Sequence, residues 1–120
     1  MANVISTVLV VDDLSEMLRA FQRHFAGRGE VVTVSSPDEA IAVLEAAEVA
    51  AILTDYQMPG RDGVDLLEEV QRGGPRTRGF LMSGAVVPGI AELMAGGLVE
   101  KFFATPMDVA VLFAVLTTAR

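Results

Sequence analysis

The sequence predicts an α/β domain: a five-stranded parallel sheet with helices on both faces. Three observations predict it. Short apolar or β-branched runs recur at residues 8–11, 31–34, 50–54, 80–82 and 99–104, the length and composition of strands buried on both faces. Segments with helical spacing alternate with them, which argues for crossover helices packed on a parallel sheet. Three of the runs stop abruptly at polar groups, Asp12-Asp13, Asp55 and Ser83.

The first strand covers residues 8–11 and runs into Asp12-Asp13. Apolar positions at Leu14, Met17, Leu18, Phe21 and Phe25 then fit a helix over 15–26, stopped by Gly27 and Gly29. The second strand is 31–34. Ser36-Pro37-Asp38-Glu39 is a strong helix start, with Ser36 as N-cap, Pro37 at N1 and Glu39 closing a capping box. That helix extends to about Ala47, with Ala40, Ile41 and Leu44 inward. The third strand, 50–54, leads to Asp55, the turn Met58-Pro59-Gly60 and a helix over 64–72. Gly73-Gly74-Pro75 breaks it. The fourth strand, 80–82, ends at Ser83-Gly84, and a short helix covers 88–95. The fifth strand is 99–104 and the last helix 108–119.

Length and charge narrow the function. With 120 residues the chain reads as one domain, 1–120, large enough for a real core. Its net charge is −7, which disfavours direct nucleic-acid binding. The sequence has no cysteine and one histidine, so no thiolate or His-based metal site is expected. The longest apolar run, 109–116, is far short of the ~20 residues that cross a bilayer. No signal-peptide pattern opens the chain, and a cytoplasmic location without membrane attachment is expected.

Right-handed crossovers leave two common sheet orders, the dinucleotide-binding one and the flavodoxin-like 2-1-3-4-5. The first βα turn, Asp12-Asp13-Leu14-Ser15, lacks a Gly-x-Gly-x-x-Gly loop, and its two charges would repel a pyrophosphate. The flavodoxin-like order follows. It makes strands one and three neighbours and gathers Asp12, Asp13 and Asp55 at one edge. Clustered carboxylates raise one another's pKa values, and such a group suits a hard divalent cation such as Mg²⁺. Ser83 ends the strand beside this pocket.

On these residues the chain resembles the receiver domain of two-component response regulators. Asp12-Asp13, Asp55 with Met58-Pro59 and Gly63, Ser83-Gly84 and the tail Pro106-Met107-Asp108 with Leu112 carry the resemblance, which spans essentially the whole chain. It implies a signalling domain rather than an enzyme. Asp55 would accept a phosphoryl group from a sensor histidine kinase or a histidine phosphotransfer protein. Asp12, Asp13, Asp55 and Gln57 would form the Mg²⁺ site. Ser83 would bond the phosphate, and Phe102 would be an aromatic that turns inward on activation.

One residue departs from the family pattern. Thr105 stands where the family has a Lys immediately before its Pro. Lys101 lacks that Pro and sits about four residues, or ~13 Å, away along the strand. This departure supports an alternative, a phosphate-independent pseudo-receiver acting as a protein-interaction module. A flavin carrier is disfavoured because no phosphate-cradling loop follows the first strand. Plainer readings stand beside these: Asp12-Asp13 as a helix cap, Ser83 as a turn residue, Phe102 as core. The last helix is apolar all round, with Val111 and Val115 placed outward, and suggests a homodimer or partner surface.

Overall fold

The computed structural model describes residues 7–25, 30–73, 76–105 and 114. Nine elements follow in order: β1 (Thr7–Val11), α1 (Ser15–Phe25), β2 (Glu30–Val34), α2 (Pro37–Ala46), β3 (Ala51–Asp55), α3 (Gly63–Gly73), β4 (Arg78–Ser83), α4 (Ile90–Ala95) and β5 (Lys101–Ala104). The strands form one sheet in the order β2-β1-β3-β4-β5, parallel throughout. This is the predicted flavodoxin-like architecture. The last helix, with Val111 and Val115, lies outside the described residues.

The alternation of side chains along each strand builds two cores. Leu9, Val11, Ile52 and Leu81 face one way and pack with Ala40 of α2 and Leu66, Leu67 and Val70 of α3. Val8, Val10, Ala51, Leu53, Phe80 and Met82 face the other way and pack with Phe21 of α1. Phe80 and Phe103 add a tilted ring pair, centroids 6.2 Å apart. Each fully buried aliphatic or aromatic side chain contributes about 1.5–3 kcal/mol relative to leaving it exposed. Because β1 and β3 are buried on both faces, their runs are apolar or β-branched up to Val11 and Thr54.

Several boundaries differ from the sequence reading, each for a local reason. β4 starts at Arg78, two residues early, because Arg78 and Gly79 continue the ladder against Ala51 and Ile52. β5 starts at Lys101, two residues late; Val99 is fully buried but sits in the turn before it, its N–H donating to Leu93 O at 3.2 Å. α4 begins at Ile90 rather than Pro88. Its N-cap is Gly89 at φ +72°, a left-handed conformation outside the helix. Ser36 caps α2 as expected, its Oγ accepting from the Glu39 N–H at 3.2 Å. The box closes one residue early: Glu39 Oε1 accepts from the backbone N–H of Ser35, at 2.8 Å, and from the Ser35 hydroxyl. Leu14, read as an inward position, precedes α1 and is 60% exposed.

The carboxyl edge of the sheet is held by bonds that run past the strand ends. Asp12 N–H donates to Val34 O at 3.2 Å, Tyr56 N–H to Met82 O at 2.8 Å and Thr105 N–H to Ser83 O at 3.0 Å. The loops that leave this edge therefore start from fixed positions.

Candidate functional site at the carboxyl edge of the sheet

The adjacency of β1 and β3 brings Asp12, Asp13 and Asp55 together, one carboxylate oxygen from each lying within 4.8 Å of the others. They differ in setting. Asp12 is buried and its Oδ1 accepts from the Leu14 N–H at 3.0 Å, a turn bond that ends before α1 begins at Ser15. Asp13 is exposed, and Asp55, the last residue of β3, is half-buried. Burial and the neighbouring charges of Asp12 and Asp13 push the Asp55 carboxyl up to about 6, against a smaller opposing pull from the Tyr56 N–H. Burial likewise raises Asp12, partly offset by its bond from Leu14.

The loop after Asp55 is closed by a series of short-range ties. Gly63 N–H donates to Tyr56 O at 2.8 Å. Asp62 and Asp65 cap each other's backbone N–H groups, at 2.8 and 3.3 Å. Gly60 takes φ +87°, which favours glycine. Arg61 reaches across the first turns of α3 to Glu69, Nη2 to Oε1 2.5 Å. Gly63 itself has no room for a side chain, since a Cβ there would stand 2.4 Å from Asp55 O. The Arg61 tie and the steric role of Gly63 were not readable from residue patterns, because both depend on how the loop folds back.

Ser83 ends β4 and is buried. Its Oγ accepts from the Ala85 N–H at 3.0 Å, which is a turn role and leaves its own hydrogen available. Thr105 follows Ala104, the register partner of Ser83. The Thr105 hydroxyl stands 3.4 Å from where a Gly84 Cβ would be. Lys101 is exposed at the opposite end of β5. Phe102 is half-buried against the core cluster that contains Leu81, its register partner. Gln57 is exposed on the loop that leaves β3.

The donor set is three carboxylates with hard oxygen atoms, which fits Mg²⁺ and suits soft metals poorly. The ion pairs Arg61–Glu69 and Arg78–Glu100 involve none of these carboxylates. A cleft of about 230 Å³ lies elsewhere, at the amino edge, between α3, α4 and the start of β4.

A doubly wound sheet of this order, with an acidic pocket where β1 and β3 end, defines a class of signalling domain. The family model of the response regulator receiver domain matches residues 8–116, and the chain belongs to that family. Among curated relatives, the hydrogenase transcriptional regulatory protein HoxA of Cupriavidus necator is 43% identical over 79 residues, covering 66% of this chain and 16% of the relative. The transcriptional regulatory protein TcrA of Mycobacterium tuberculosis is 29% identical over 110 residues, covering 89% of this chain and 43% of the relative. The chain thus spans less than half the length of either relative. A CheY-like receiver domain from Methanospirillum hungatei superposes with a TM-score of 0.85 at 18% identity, over 94% of this chain and 91% of that one. No helix among the described residues is long and apolar enough to cross a membrane.

Proposed function

We propose that Asp55 is a phosphoryl acceptor. Its carboxylate oxygen forms a bond to the phosphorus of a phosphohistidine on a sensor histidine kinase or a histidine phosphotransfer protein. The phosphorus–nitrogen bond to the donor imidazole breaks as that bond forms, and the imidazole keeps the electron pair and takes up a proton. The observation that carries this reading is the meeting of three carboxylates within 4.8 Å at the ends of β1 and β3.

Asp12, Asp13 and Asp55 would hold Mg²⁺, with Gln57 beside them on the loop. The ion supplies positive charge toward the transferring phosphoryl oxygens when bound. The chain's own groups have the other tasks. Asp55 is mostly ionised at pH 7 with its carboxyl near 6, so it is available as a nucleophile. The Ser83 hydroxyl, already accepting from Ala85, can turn its hydrogen toward a phosphoryl oxygen. Phe102, half-buried on β5, would turn inward when the phosphoryl group is bound. The product adds about −1.5 to −2 charge at one point of the edge, and the changed surface is read by protein contacts in the cytoplasm.

The experiment is intact-mass measurement after incubation with acetyl phosphate and Mg²⁺, with Asp55→Asn as control. Addition of one phosphoryl group to the wild type and none to the variant is expected. No addition, where an ordinary receiver is modified, overturns the reading in favour of a phosphate-independent pseudo-receiver.

A further inference from the structure

Thr54 precedes the candidate acceptor and is fully buried. In β3 it is paired in register with Val11 of β1 and Leu81 of β4, both members of the core packed by α2 and α3. Ile52, two residues back on the same face of the strand, belongs to that core as well. Packing alone asks for a valine or isoleucine at such a place, because a hydroxyl taken out of water costs free energy unless it is bonded. In sequence Thr54 is one more β-branched strand residue. The structure shows where its hydroxyl goes: Thr54 Oγ1 donates to the carbonyl oxygen of Asp55 at 3.0 Å.

That carbonyl belongs to the peptide joining Asp55 to Tyr56. The other end of the same peptide is held too, since Tyr56 N–H donates to Met82 O at 2.8 Å. Gly63 presses on the carbonyl from α3, with no room for a Cβ. A peptide unit is planar, so fixing its oxygen and its N–H fixes the plane, and with it the ψ angle of Asp55. The Cα–Cβ bond that carries the carboxylate is set by the same angle. β3 ends at Asp55, and these contacts take over where the strand stops.

We propose that Thr54 is a positioning residue for phosphoryl transfer: its hydroxyl, bonded to Asp55 O, holds the acceptor carboxylate in line for attack. This rests on the reading of Asp55 as acceptor. In that reaction a carboxylate oxygen of Asp55 forms a bond to phosphorus. The bond from phosphorus to the leaving group breaks, and the leaving group keeps its electron pair. The attacking oxygen has to stand opposite the leaving group, and a misplacement of ~1 Å costs up to about a hundredfold in rate. Thr54 faces the core and acts through Asp55.

Thr54→Val, Thr54→Ser and Thr54→Ala are compared with the wild type in labelling by acetyl phosphate at saturating Mg²⁺, read by intact mass against time. Urea unfolding of each chain sets a temperature at which all are folded. Thr54→Val keeps the branched shape and loses the donor, whereas Thr54→Ser keeps the donor and loses a methyl group. Thr54→Ser and Thr54→Ala differ by one oxygen atom. Thr54→Val and Thr54→Ala are expected to label about tenfold or more slowly than the wild type, with Thr54→Ser close to it. The rates should follow the hydroxyl and not the urea midpoint. Thr54→Val labelled at the wild-type rate overturns the proposal, and so does Thr54→Ser as slow as Thr54→Ala. If Thr54→Val does not fold, the Ser and Ala variants decide by the same rule. A wild type that acetyl phosphate does not label overturns the acceptor reading and the proposal with it, whereas a labelled wild type with an equally fast Thr54→Val overturns the proposal alone.

Discussion

Gly63 is packed so closely beneath Asp55 that a Cβ on the glycine would stand 2.4 Å from the Asp55 carbonyl oxygen and 2.8 Å from Leu81 Cδ1. The first residue of α3 thus fixes the backbone of the strand end that carries the candidate acceptor. The Gly63 N–H to Tyr56 O bond sets the same approach from the other side. Neither the carbonyl nor the fully buried Leu81 can yield cheaply. Gly63→Ala is expected to cost about 1–3 kcal/mol, the range for overpacking, with the upper end favoured by the backbone clash. Urea unfolding measures it. Mg²⁺ titration of the folded fraction should also show weaker binding, because Asp55 moves with its backbone. A variant as stable as the wild type would mean that the approach relaxes at no cost.

The acidic cluster destabilises the metal-free fold in a defined pH window. Unfolded Asp55 ionises near the ordinary aspartate value of 3.8, and the folded carboxyl is held up to about 6. Between those values the folded chain retains a proton that the unfolded chain has released. Stability therefore falls as pH rises through that window and stays at the lower level above it. Asp55 is only half-buried, so solvent screening reduces the effect to about 1–2 kcal/mol. Asp55→Asn should remove it and raise Tm at pH 7 in the presence of a chelator. Added Mg²⁺ should stabilise the wild type at pH 7 more than at pH 5, because the ion competes with the proton. Identical Tm values for both proteins across pH 4–7 would contradict this account.

A third expectation concerns the opposite edge. Arg78 opens β4, and its guanidinium is gripped by Glu100 in two places, Nε to Oε1 at 2.9 Å and Nη2 to Oε2. The guanidinium also lies over the Phe80 ring, 5.2 Å from its centroid. Both side chains are largely buried, at 15% and 25% exposure. A charge-assisted fork of this kind loses about 1.5–3 kcal/mol when one partner is neutralised. Glu100→Gln should show that loss in denaturant unfolding with no change in Mg²⁺ affinity, since the carboxylates sit at the other edge. A change in metal binding would reveal coupling through β4.

The sheet was legible because β1, β3 and β4 are buried on both faces, and residues 8–11, 50–54 and 80–82 are uninterrupted apolar or β-branched runs. Their ends were legible for the same reason: Asp12, Asp55 and Ser83 interrupt a pattern that only burial sustains. The limits of β4 and α4 were not. Arg78 and Gly79 do not look like strand residues, and they are held there by pairing with β3. Pro88 reads as a helix start, but the left-handed Gly89 after it keeps it in the turn. Leu14 completes the apolar spacing of α1 in sequence, yet it lies just before the helix, and one position decides between core and water. The convergence of the three carboxylates followed from strand order alone, whereas the Gly63 contact required the loop's path.

The last expectation isolates Thr105. It places a short neutral side chain beside Ser83 and Gly84, and Lys101 is exposed at the far end of the same strand. Thr105→Lys adds a cation at the carboxyl edge, at the position whose hydroxyl now stands against Gly84. The added charge should draw the Asp55 carboxyl down from about 6 toward the ordinary carboxylate range, read by NMR titration. It should also stabilise a phosphoryl group on Asp55 by the ~1.5–3 kcal/mol of a hydrogen bond to a charged group. That appears as a larger labelled fraction at limiting acetyl phosphate. Lys101→Thr should alter neither quantity. If the Thr105→Lys chain titrates and labels like the wild type, the added ammonium does not reach the pocket, and a cation at this position is not what sets the charge balance of the site.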